Sequence, residues 1–317
     1  MKKLALLFWL LPWLALAQVG GGNGPVGGAY GPLAGCAGPL NGCAGPLGQV
    51  TQTYVLDQLS AYPAVAYSVR QMTAAQYLPA YDMTVRRSSD NAQTNIGFSG
   101  GVENVAALAS FCAGTNAYLV TWKDQGSLGS AGDASQSTAA SQPQVCAAGV
   151  VETQGGVPTV VFTNSTFLNN TGISTIPSTV SSNSVFAWTT STSSYYPILS
   201  ASSGSSYLLG IKSDNHLYAS FQAGYNPESS VAISSNTLYI GTTNLISGSS
   251  SSQVYTNGGS LGTSSPGTGT STGLVIGKSL INLSESVVIL SAIFLRSDQT
   301  TLETNQAAFF GIAGVTQ

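Results

Sequence analysis

Residues 117–122 read Ala-Tyr-Leu-Val-Thr-Trp, a short run of aliphatic, β-branched and aromatic side chains. Ala-Gly-Thr-Asn precedes this run and Lys-Asp-Gln-Gly follows it, so residues typical of turns bound it on both sides. Its composition and length predict a β-strand, and the same pattern recurs along the chain. Further candidate strands are 66–70, 81–87, 159–162, 184–189, 207–211, 216–221, 238–240, 274–276 and 287–295. Many short strands with few helices predict an all-β sandwich or jelly roll.

Two segments favour helix instead of strand. Residues 102–111 are rich in alanine, and Glu103 would give this helix an acidic first turn. Residues 300–309 are compatible with a final helical turn. Three stretches rich in Ser, Thr and Gly are expected to be mostly loops or linkers, with the candidate strand 184–189 interrupting the second. They are 126–141, 178–194 and 249–272.

The charge composition excludes several classes of function. The 317 residues include only 9 Lys or Arg and 12 Asp or Glu, while 43% are hydrophobic. The apolar content is sufficient for a folded core, and a net charge of -3 without a basic cluster argues against nucleic-acid binding. One histidine and four cysteines exclude most metal sites and any catalytic triad that needs a spare imidazole. No cofactor or metal is therefore expected.

The N-terminus predicts export. A short basic start at 1–3 is followed by an apolar run at 4–14 and by Ala15-Leu16-Ala17, the small-x-small pattern of a cleavage site. We therefore predict a signal peptide over residues 1–17 and a secreted or cell-surface protein. The apolar run is shorter than the roughly 20 residues that span a bilayer, so no membrane span is expected.

Residues 18–52 form a Gly/Pro-rich arm before the globular part. Within 24–50 a unit of Gly-Pro plus an aliphatic residue repeats every seven residues, as in GPLAGCA and GPLNGCA. A proline in every unit is incompatible with a coiled coil. The arm is either a flexible linker or an assembly segment that pairs with a neighbouring subunit, with Cys36 and Cys43 in phase to cross-link chains.

Four cysteines in an exported protein most simply form two disulfides, and three pairings are possible. Cys112 and Cys146 both lie in the globular part, so we predict that they pair. Cys36 and Cys43 remain together in the arm.

Residues 67–127 carry several uncommon features in a fixed order. These are Tyr-Ser-Val-Arg at 67–70, Val-Arg-Arg-Ser-Ser-Asp at 85–90, Phe-Cys-Ala-Gly at 111–114 and Trp-Lys-Asp-Gln-Gly-Ser at 122–127. The run resembles the opening of α-L-arabinofuranosidase B-type catalytic domains, and residues 292–312 are similar to the close of concanavalin-like lectin/glucanase domains. The resemblance implies a concanavalin-like two-sheet jelly-roll sandwich over residues 53–317.

The resemblance also implies a place for catalysis. A retaining glycosidase uses two carboxyl groups ~5 Å apart. Lys-Ser-Asp-Asn-His-Leu-Tyr at 212–218 matches the family's nucleophile strand, Asp-Leu-Glu-Asn-Gly-Leu-Phe, and puts Asp214 in the place of the glutamate, one methylene shorter. The stretch Gly277–Leu280, which corresponds to the turn with the general acid, has no carboxyl group, and Glu285 is the nearest acid. We therefore expect the acid pair to be lost.

Four residues are candidates for binding glycan. Asp90 and Asp124 are suited either to binding sugar hydroxyls or to capping turns. Tyr195 and Tyr196 lie in a Ser/Thr-rich segment and are expected to be exposed for stacking on sugar rings. His216 has no nucleophile signature nearby and is expected to be packed or solvent-facing rather than catalytic.

Three classes of function follow. The favoured one is a secreted, non-catalytic jelly roll that binds extracellular polysaccharide or another glycan, or assembles into a matrix or filament. The second is an α-L-arabinofuranosidase-like hydrolase acting on terminal arabinose of plant-type polysaccharide. The third is a surface adhesin with a protein partner. The broken acid pair, the in-phase cysteines of the arm and a surface with little charge favour the first.

Overall fold

The computed structural model describes residues 53–74, 79–189, 195–202, 206–221, 227–268 and 271–315. Within these ranges the chain forms 22 β-strands and two α-helices. The predicted signal peptide and the predicted arm over 18–52, with Cys36 and Cys43, lie outside the described residues. No helix in the described part of the chain has the length and apolar character needed to cross a membrane.

Most strands are short, as the turn-rich sequence predicts. The first eleven are β1 (Val65–Ser68), β2 (Met83–Arg87), β3 (Gln93–Ile96), β4 (Phe98–Ser99), β5 (Val102–Glu103), β6 (Ala117–Trp122), β7 (Ala134–Ser135), β8 (Gln144–Ala147), β9 (Val150–Val151), β10 (Thr153–Gln154) and β11 (Val157–Pro158). The next eleven are β12 (Val160–Val161), β13 (Phe167–Asn170), β14 (Thr179–Trp188), β15 (Tyr195–Ala201), β16 (Tyr207–Lys212), β17 (Leu217–Ser220), β18 (Tyr239–Ile246), β19 (Gln253–Thr256), β20 (Gly259–Thr263), β21 (Leu274–Gly277) and β22 (Ile281–Leu290). The helices are α1 (Val105–Phe111) and α2 (Arg296–Phe310).

The strands pair antiparallel in two layers. One layer runs β20–β19–β18–β14–β22, and both β1 and β12 pair with the far side of β22. The other runs β17–β16–β15–β21–β13–β7–β6–β2–β3. Strand β8 joins the layers, because it pairs with both β6 and β12. This arrangement confirms the predicted two-sheet jelly-roll sandwich.

The layers pack closely where β18 lies over β16 and β17. A Cβ atom on Gly241 would lie 3.1 Å from side-chain atoms of Leu209, Leu217 and Phe186, so a larger residue there would have to displace these side chains. All three neighbours are fully buried in the main hydrophobic core. The aliphatic and aromatic strand residues of the sequence thus form the interior of the sandwich.

Strand β14 corrects one sequence prediction. Most of Ser178–Ser194 was expected to be loop, yet β14 extends over Thr179–Trp188 and is buried along nearly its whole length. Its polar residues find partners on the neighbouring strands: Ser182 lies 2.8 Å from the Thr243 hydroxyl, and Asn183 donates to Thr242 at 2.8 Å. Hydrogen-bonded hydroxyl and amide groups are tolerated in the interior, so this central strand needs no apolar pattern. Strands β19 and β20 likewise lie within 249–272.

Helix α1 begins later than predicted. Asn104 is its N-cap, and the Asn104 side chain accepts a hydrogen bond from the backbone N–H of Ala107 at 3.0 Å. Glu103, expected in the first turn, belongs instead to β5 and is buried. Cys112 ends the helix and forms a disulfide with Cys146 in β8, the pairing that the sequence predicts within the globular part.

Helix α2 is longer than the predicted final turn and docks through polar side chains. Glu303 accepts a hydrogen bond from the Thr242 hydroxyl at 2.6 Å, and Gln306 donates to Glu285 at 2.8 Å. Arg70 forms a buried ion pair with Glu285, with 2.8 Å between Nε and Oε2. The buried side of this helix is therefore largely a hydrogen-bond network rather than an apolar stripe.

Candidate functional site

The residues that match the family's nucleophile segment lie at a hairpin corner. Strands β16 and β17 are joined by residues 213–216, and Asn215 adopts a left-handed conformation with φ 70°. Asparagine tolerates that conformation better than most residues, so the local sequence suits the turn. The backbone N–H of His216 donates to Asp214 Oδ1 at 3.3 Å, which holds the half-exposed Asp214 carboxylate against the turn.

A second carboxylate approaches Asp214. Glu228 is brought to this corner because it bridges to Tyr218 of β17. One oxygen of Asp214, one oxygen of Glu228 and a ring nitrogen of His216 all lie within 4.8 Å of one another. Asp214 therefore has a carboxylate neighbour, although this neighbour does not come from the expected general-acid turn at 277–280. Sequence reasoning missed Glu228 because it lies 14 residues beyond Asp214, outside the matched segment.

Lys212 lies between the two acids. Its ammonium group bonds Glu228 Oε2 at short range and lies 3.5 Å from Asp214 Oδ2. His216 Nδ1 is 3.3 Å from Asp214 Oδ1 and 3.8 Å from Glu228 Oε1. We call these four side chains the hairpin cluster. Two carboxylates and an imidazole are donors that a divalent cation accepts, but here Lys212 already supplies positive charge to both acids.

The pKa values of the cluster follow from these contacts. The hydrogen bond to Glu228 raises the pKa of Lys212. Partial burial acts to raise the pKa of Asp214, but the backbone N–H of His216 and the charge of Lys212 outweigh it, and the net pKa lies below its ordinary value. Asp214 is therefore ionised at neutral pH.

Glu285, the nearest acid in sequence to the expected general-acid turn, is not part of this cluster. It is fully buried in β22 and accepts hydrogen bonds from Ser68, Arg70 and Gln306. Its position beneath α2 gives it a role in holding the helix on the sheet.

A separate cavity of about 240 Å³ lies beside the end of β6. We call it the Asp124 cavity; its lining includes Tyr81, Lys123, Asp124, Ser130 and Asp133. Lys123 pairs with Asp133 at short range, and its ammonium lies 5.2 Å from the centre of the Tyr81 ring. The Asp124 cavity is therefore lined by a charged pair, an aromatic ring and a buried acid.

Asp124 itself is 2% exposed. Its Oδ1 accepts hydrogen bonds at 2.7 Å from the backbone N–H groups of Ala66 and Gly126, which is the turn-capping role that the sequence allows. Its Oδ2 is buried and accepts none from the described residues. Burial raises the pKa of Asp124 to about 7, although the backbone N–H groups of Ala66, Gly126 and Gly129 oppose the rise. Near neutral pH this carboxyl group is therefore able to donate or to accept.

The structure does not bring the four predicted glycan-binding residues together. Asp90 follows β2 while Asp124 follows the antiparallel β6, so they lie at opposite ends of this strand pair. The Arg87 side chain and the backbone N–H of Ala92 lower the pKa of Asp90 to about 2. Tyr196, expected to be exposed, is 3% exposed and packs 6.3 Å from Trp188. The side chain of Tyr195 lies outside the described part.

A buried acid pair near the Asp124 cavity was not predicted from sequence. Asp82 and Glu103 are both buried, and neither Asp82 oxygen nor Glu103 Oε1 accepts a hydrogen bond from the described residues. Burial raises the pKa of Glu103 to about 8. Burial and the neighbouring Glu103 raise the pKa of Asp82 well above its ordinary value. Glu103 is therefore largely protonated at neutral pH.

Comparison with solved structures supports the resemblance found in the sequence. A GH54 α-L-arabinofuranosidase soaked with a cyclic sulfate inhibitor is 13% identical and aligns with a TM-score of 0.52, covering 78% of this chain and 63% of that one. A glutamate-to-glutamine mutant of a GH54 α-L-arabinofuranosidase soaked with 4-nitrophenyl α-L-arabinofuranoside gives a TM-score of 0.56 at the same identity and coverage. An arabinofuranosidase complexed with arabinofuranosyl-α-1,2-xylobiose gives 0.52 at 14% identity, covering 80% of this chain and 64% of that one.

These likenesses establish a common fold. This chain spans less than two thirds of the length of each of those enzymes. No protein-family model and no curated protein sequence matches it.

Proposed function

We propose that this protein is a secreted β-sandwich that binds an extracellular polysaccharide without cleaving it. The observation that carries the proposal is the Asp124 cavity, where a buried carboxyl oxygen without a hydrogen bond lies in the same lining as a Lys–Asp pair and a tyrosine ring. Sugar hydroxyls donate and accept hydrogen bonds, and aromatic faces pack against sugar rings. Sugar hydroxyls would bond the Lys123–Asp133 pair at the cavity wall while the sugar ring contacts Tyr81, and the buried Asp124 would hold that wall in place through the backbone of Ala66 and Gly126.

The fold suggests the class of polysaccharide. One similar solved structure is an arabinofuranosidase complexed with arabinofuranosyl-α-1,2-xylobiose. We therefore propose arabinose-bearing, plant-type polysaccharide as the first ligand to test. A cavity of 240 Å³ suits one terminal sugar residue rather than a long chain.

The hairpin cluster supports binding without cleavage. In a retaining glycosidase the scissile bond lies between the two acids. Here the Lys212 ammonium bonds Glu228 and lies 3.5 Å from Asp214, so the acids already share a cation. Cleavage would first require the Lys212 side chain to move away from Asp214 and Glu228.

Affinity electrophoresis and calorimetry on arabinoxylan, arabinan and an unsubstituted β-glucan test the proposal. Asp124→Asn keeps the carbonyl acceptor for the backbone but removes the carboxyl, and we expect it to weaken arabinoxylan binding about tenfold. Asp90→Asn makes the same change at the opposite end of β2 and should have no effect. Equal binding by both variants and the unsubstituted protein would refute the cavity as the site, and loss only in the Asp90 variant would move the site to that hairpin.

A second candidate function rests on the spacing of Asp214 and Glu228. Carboxylate oxygens within 4.8 Å are close to the separation of ~5 Å that retention of configuration requires. The test is release of nitrophenol from 4-nitrophenyl α-L-arabinofuranoside by the unsubstituted protein, Asp214→Asn and Glu228→Gln. Turnover that disappears in both variants would replace the non-catalytic proposal.

Self-association through the arm over 18–52 and adhesion to a protein partner remain predictions. Non-reducing electrophoresis of the secreted protein tests the first, because cross-linking through Cys36 or Cys43 gives species larger than a monomer. A pull-down repeated after enzymatic deglycosylation tests the second, because an adhesin with a protein partner retains that partner after the glycans are removed.

A further inference from the structure

A groove of about 630 Å³ lies at the C-terminal end of α2. Its walls are the helix end at Phe310 and Gly311, the start of β18 at Tyr239, and the turns that carry Gly155 and Asn257. We call it the C-terminal groove. None of its lining residues belongs to the Asp124 cavity or to the hairpin cluster, so it is a separate place on the molecule.

The groove is polar but uncharged. Among the described residues that line it, none is Asp, Glu, Lys, Arg or His. A charged ligand would therefore lose hydration without gaining an opposite charge. The lining selects for ligands without formal charge.

Several hydrogen-bonding groups at the groove are not used by the fold. The exposed Asn236 side chain bonds none of the described residues. Asn257 Oδ1 accepts from the backbone N–H of Ile240 at 2.9 Å, which leaves the Asn257 amide N–H groups to donate. The Tyr239 hydroxyl accepts from the backbone N–H of Ser234 at 3.0 Å and keeps its own proton to donate.

The groove has a fixed frame around these groups. Gln154 donates to the Asn236 carbonyl at 3.0 Å and accepts from Asn282 at 3.0 Å, so both ends of its amide are held. Asn236 and Asn257 have left-handed backbones, with φ 58° and 48°. The amides are therefore presented from constrained turns, and little ordering remains to be done on binding.

The helix end adds acceptors. Gly311 caps α2 in a left-handed conformation, and the N–H groups of Gly311 and Ile312 both bond the carbonyl of Ala307. Carbonyls later in the last turn lack a helical donor, and the partial negative charge of the helix end favours a ligand with hydroxyl donors over an anion. The ring of Tyr239 and the side chains of Phe310 and Ile312 supply apolar area.

We propose that the C-terminal groove binds an uncharged oligosaccharide, as a second glycan site independent of the Asp124 cavity. A ligand rich in hydroxyl groups matches free amide donors and helix-end acceptors, and its ring faces match the tyrosine and aliphatic walls. The volume lies within the usual range for small-molecule sites and is large enough for a short oligomer.

The test uses the full protein with neutral and anionic probes. Xylotetraose, arabinotetraose and cellotetraose are the neutral probes, and tetragalacturonic acid is the anionic one. Binding is measured by calorimetry and mapped by amide NMR shifts in the Asp124→Asn background, so that the first cavity does not contribute. We expect at least one neutral tetramer to bind and to shift the amides of 236–239, 257 and 311–313, while the acid does not bind.

Two variants probe the groove directly. Asn236→Gly removes a side chain without fold contacts at a left-handed position that glycine accepts, and should weaken binding about three- to tenfold. Asn215→Gly makes the same change at the left-handed turn of β16–β17 and should have no effect. Ala313→Trp, at an exposed lining residue, should fill the groove and abolish binding.

Three results would overturn the proposal. The first is that no neutral tetramer binds at 5 mM, roughly the limit of meaningful affinity. The second is that neither Asn236→Gly nor Ala313→Trp affects the binding of the neutral tetramers. The third is that the acid binds more tightly than the neutral probes. A fourth result, binding by the unsubstituted protein but not by Asp124→Asn, would also overturn the proposal, because all binding would then lie in the Asp124 cavity. Circular dichroism of each variant confirms that the fold is kept.

Discussion

Replacing Glu103 with glutamine should make the protein more stable than the unsubstituted chain at alkaline pH. Glu103 is buried, its Oε1 accepts no hydrogen bond from the described residues, and its neighbour Asp82 is also an acid. Ionising Glu103 in the folded state therefore requires a buried, unpaired charge. Glutamine has nearly the same shape, cannot ionise, and offers an N–H donor towards Asp82.

The magnitude follows from the pKa of Glu103, which burial raises from 4.5 to about 8. Between these values the folded protein holds a proton that the unfolded chain has released, so stability falls as pH rises. The stability linked to this group is fully present below pH 4.5 and is lost as pH rises through about 8. The slope is about 1.4 kcal/mol per pH unit, or ~4 kcal/mol between pH 5 and pH 8.

Urea unfolding at pH 5, 6, 7 and 8, followed by tryptophan fluorescence at constant ionic strength, measures this slope. We expect the difference in unfolding free energy between Glu103→Gln and the unsubstituted protein to grow with pH in favour of the variant. Glu152→Gln is the matched control, because Glu152 is only partly buried and its pKa is raised less. Parallel stability curves for Glu103→Gln and the unsubstituted protein would refute the reasoning.

Three further predictions concern stability and use the same unfolding assay. Arg70→Met should lower the free energy of unfolding by about 3–5 kcal/mol, because it leaves Glu285 buried without its cation. Adding Glu285→Gln should recover much of this loss, and additive losses in the double variant would contradict the prediction. Replacing Cys112 and Cys146 with serine should cost ~4 kcal/mol, since the disulfide closes a separation of 34 residues, and reductant should then have no effect on the variant's melting temperature. Asp298→Ala should cost about 1–3 kcal/mol, because the carboxylate accepts hydrogen bonds from two backbone N–H groups and one hydroxyl near residue 60; an unchanged midpoint would show that solvent replaces them.

The sequence predicted the sandwich because its strands carry local signals. The run 117–122 became β6 with the predicted bounds, since alternating aliphatic and aromatic residues are buried wherever the strand pairs. Strand β14 carries no such signal: its serine and asparagine residues are buried only because Thr242, Thr243 and Ser286 arrive from distant parts of the chain. Hydrogen-bond partners about 60 to 100 residues away along the sequence cannot be predicted from a local sequence pattern.

The candidate site was predictable only in part. Asp214 was found because it lies in a contiguous motif, and Asp124 because Trp-Lys-Asp-Gln is one as well. Glu228 was missed, since only its bridge to Tyr218 brings it to the hairpin. Tyr196 was expected to be exposed because serine and threonine surround it, yet the antiparallel pairing of β15 with β16 buries its ring beside Trp188.

The polar contacts on the buried side of α2 fix the position of the helix on the sheet. An apolar helix face can slide on a sheet with little change in contact, but Glu303 and Gln306 each have one set of partners. A shift of the helix by a single residue would leave several of these polar groups buried without hydrogen-bond partners. Each such group would cost about 1–3 kcal/mol of stability. The helix is therefore held in one register, and its last turn lies at a fixed height above the sheet.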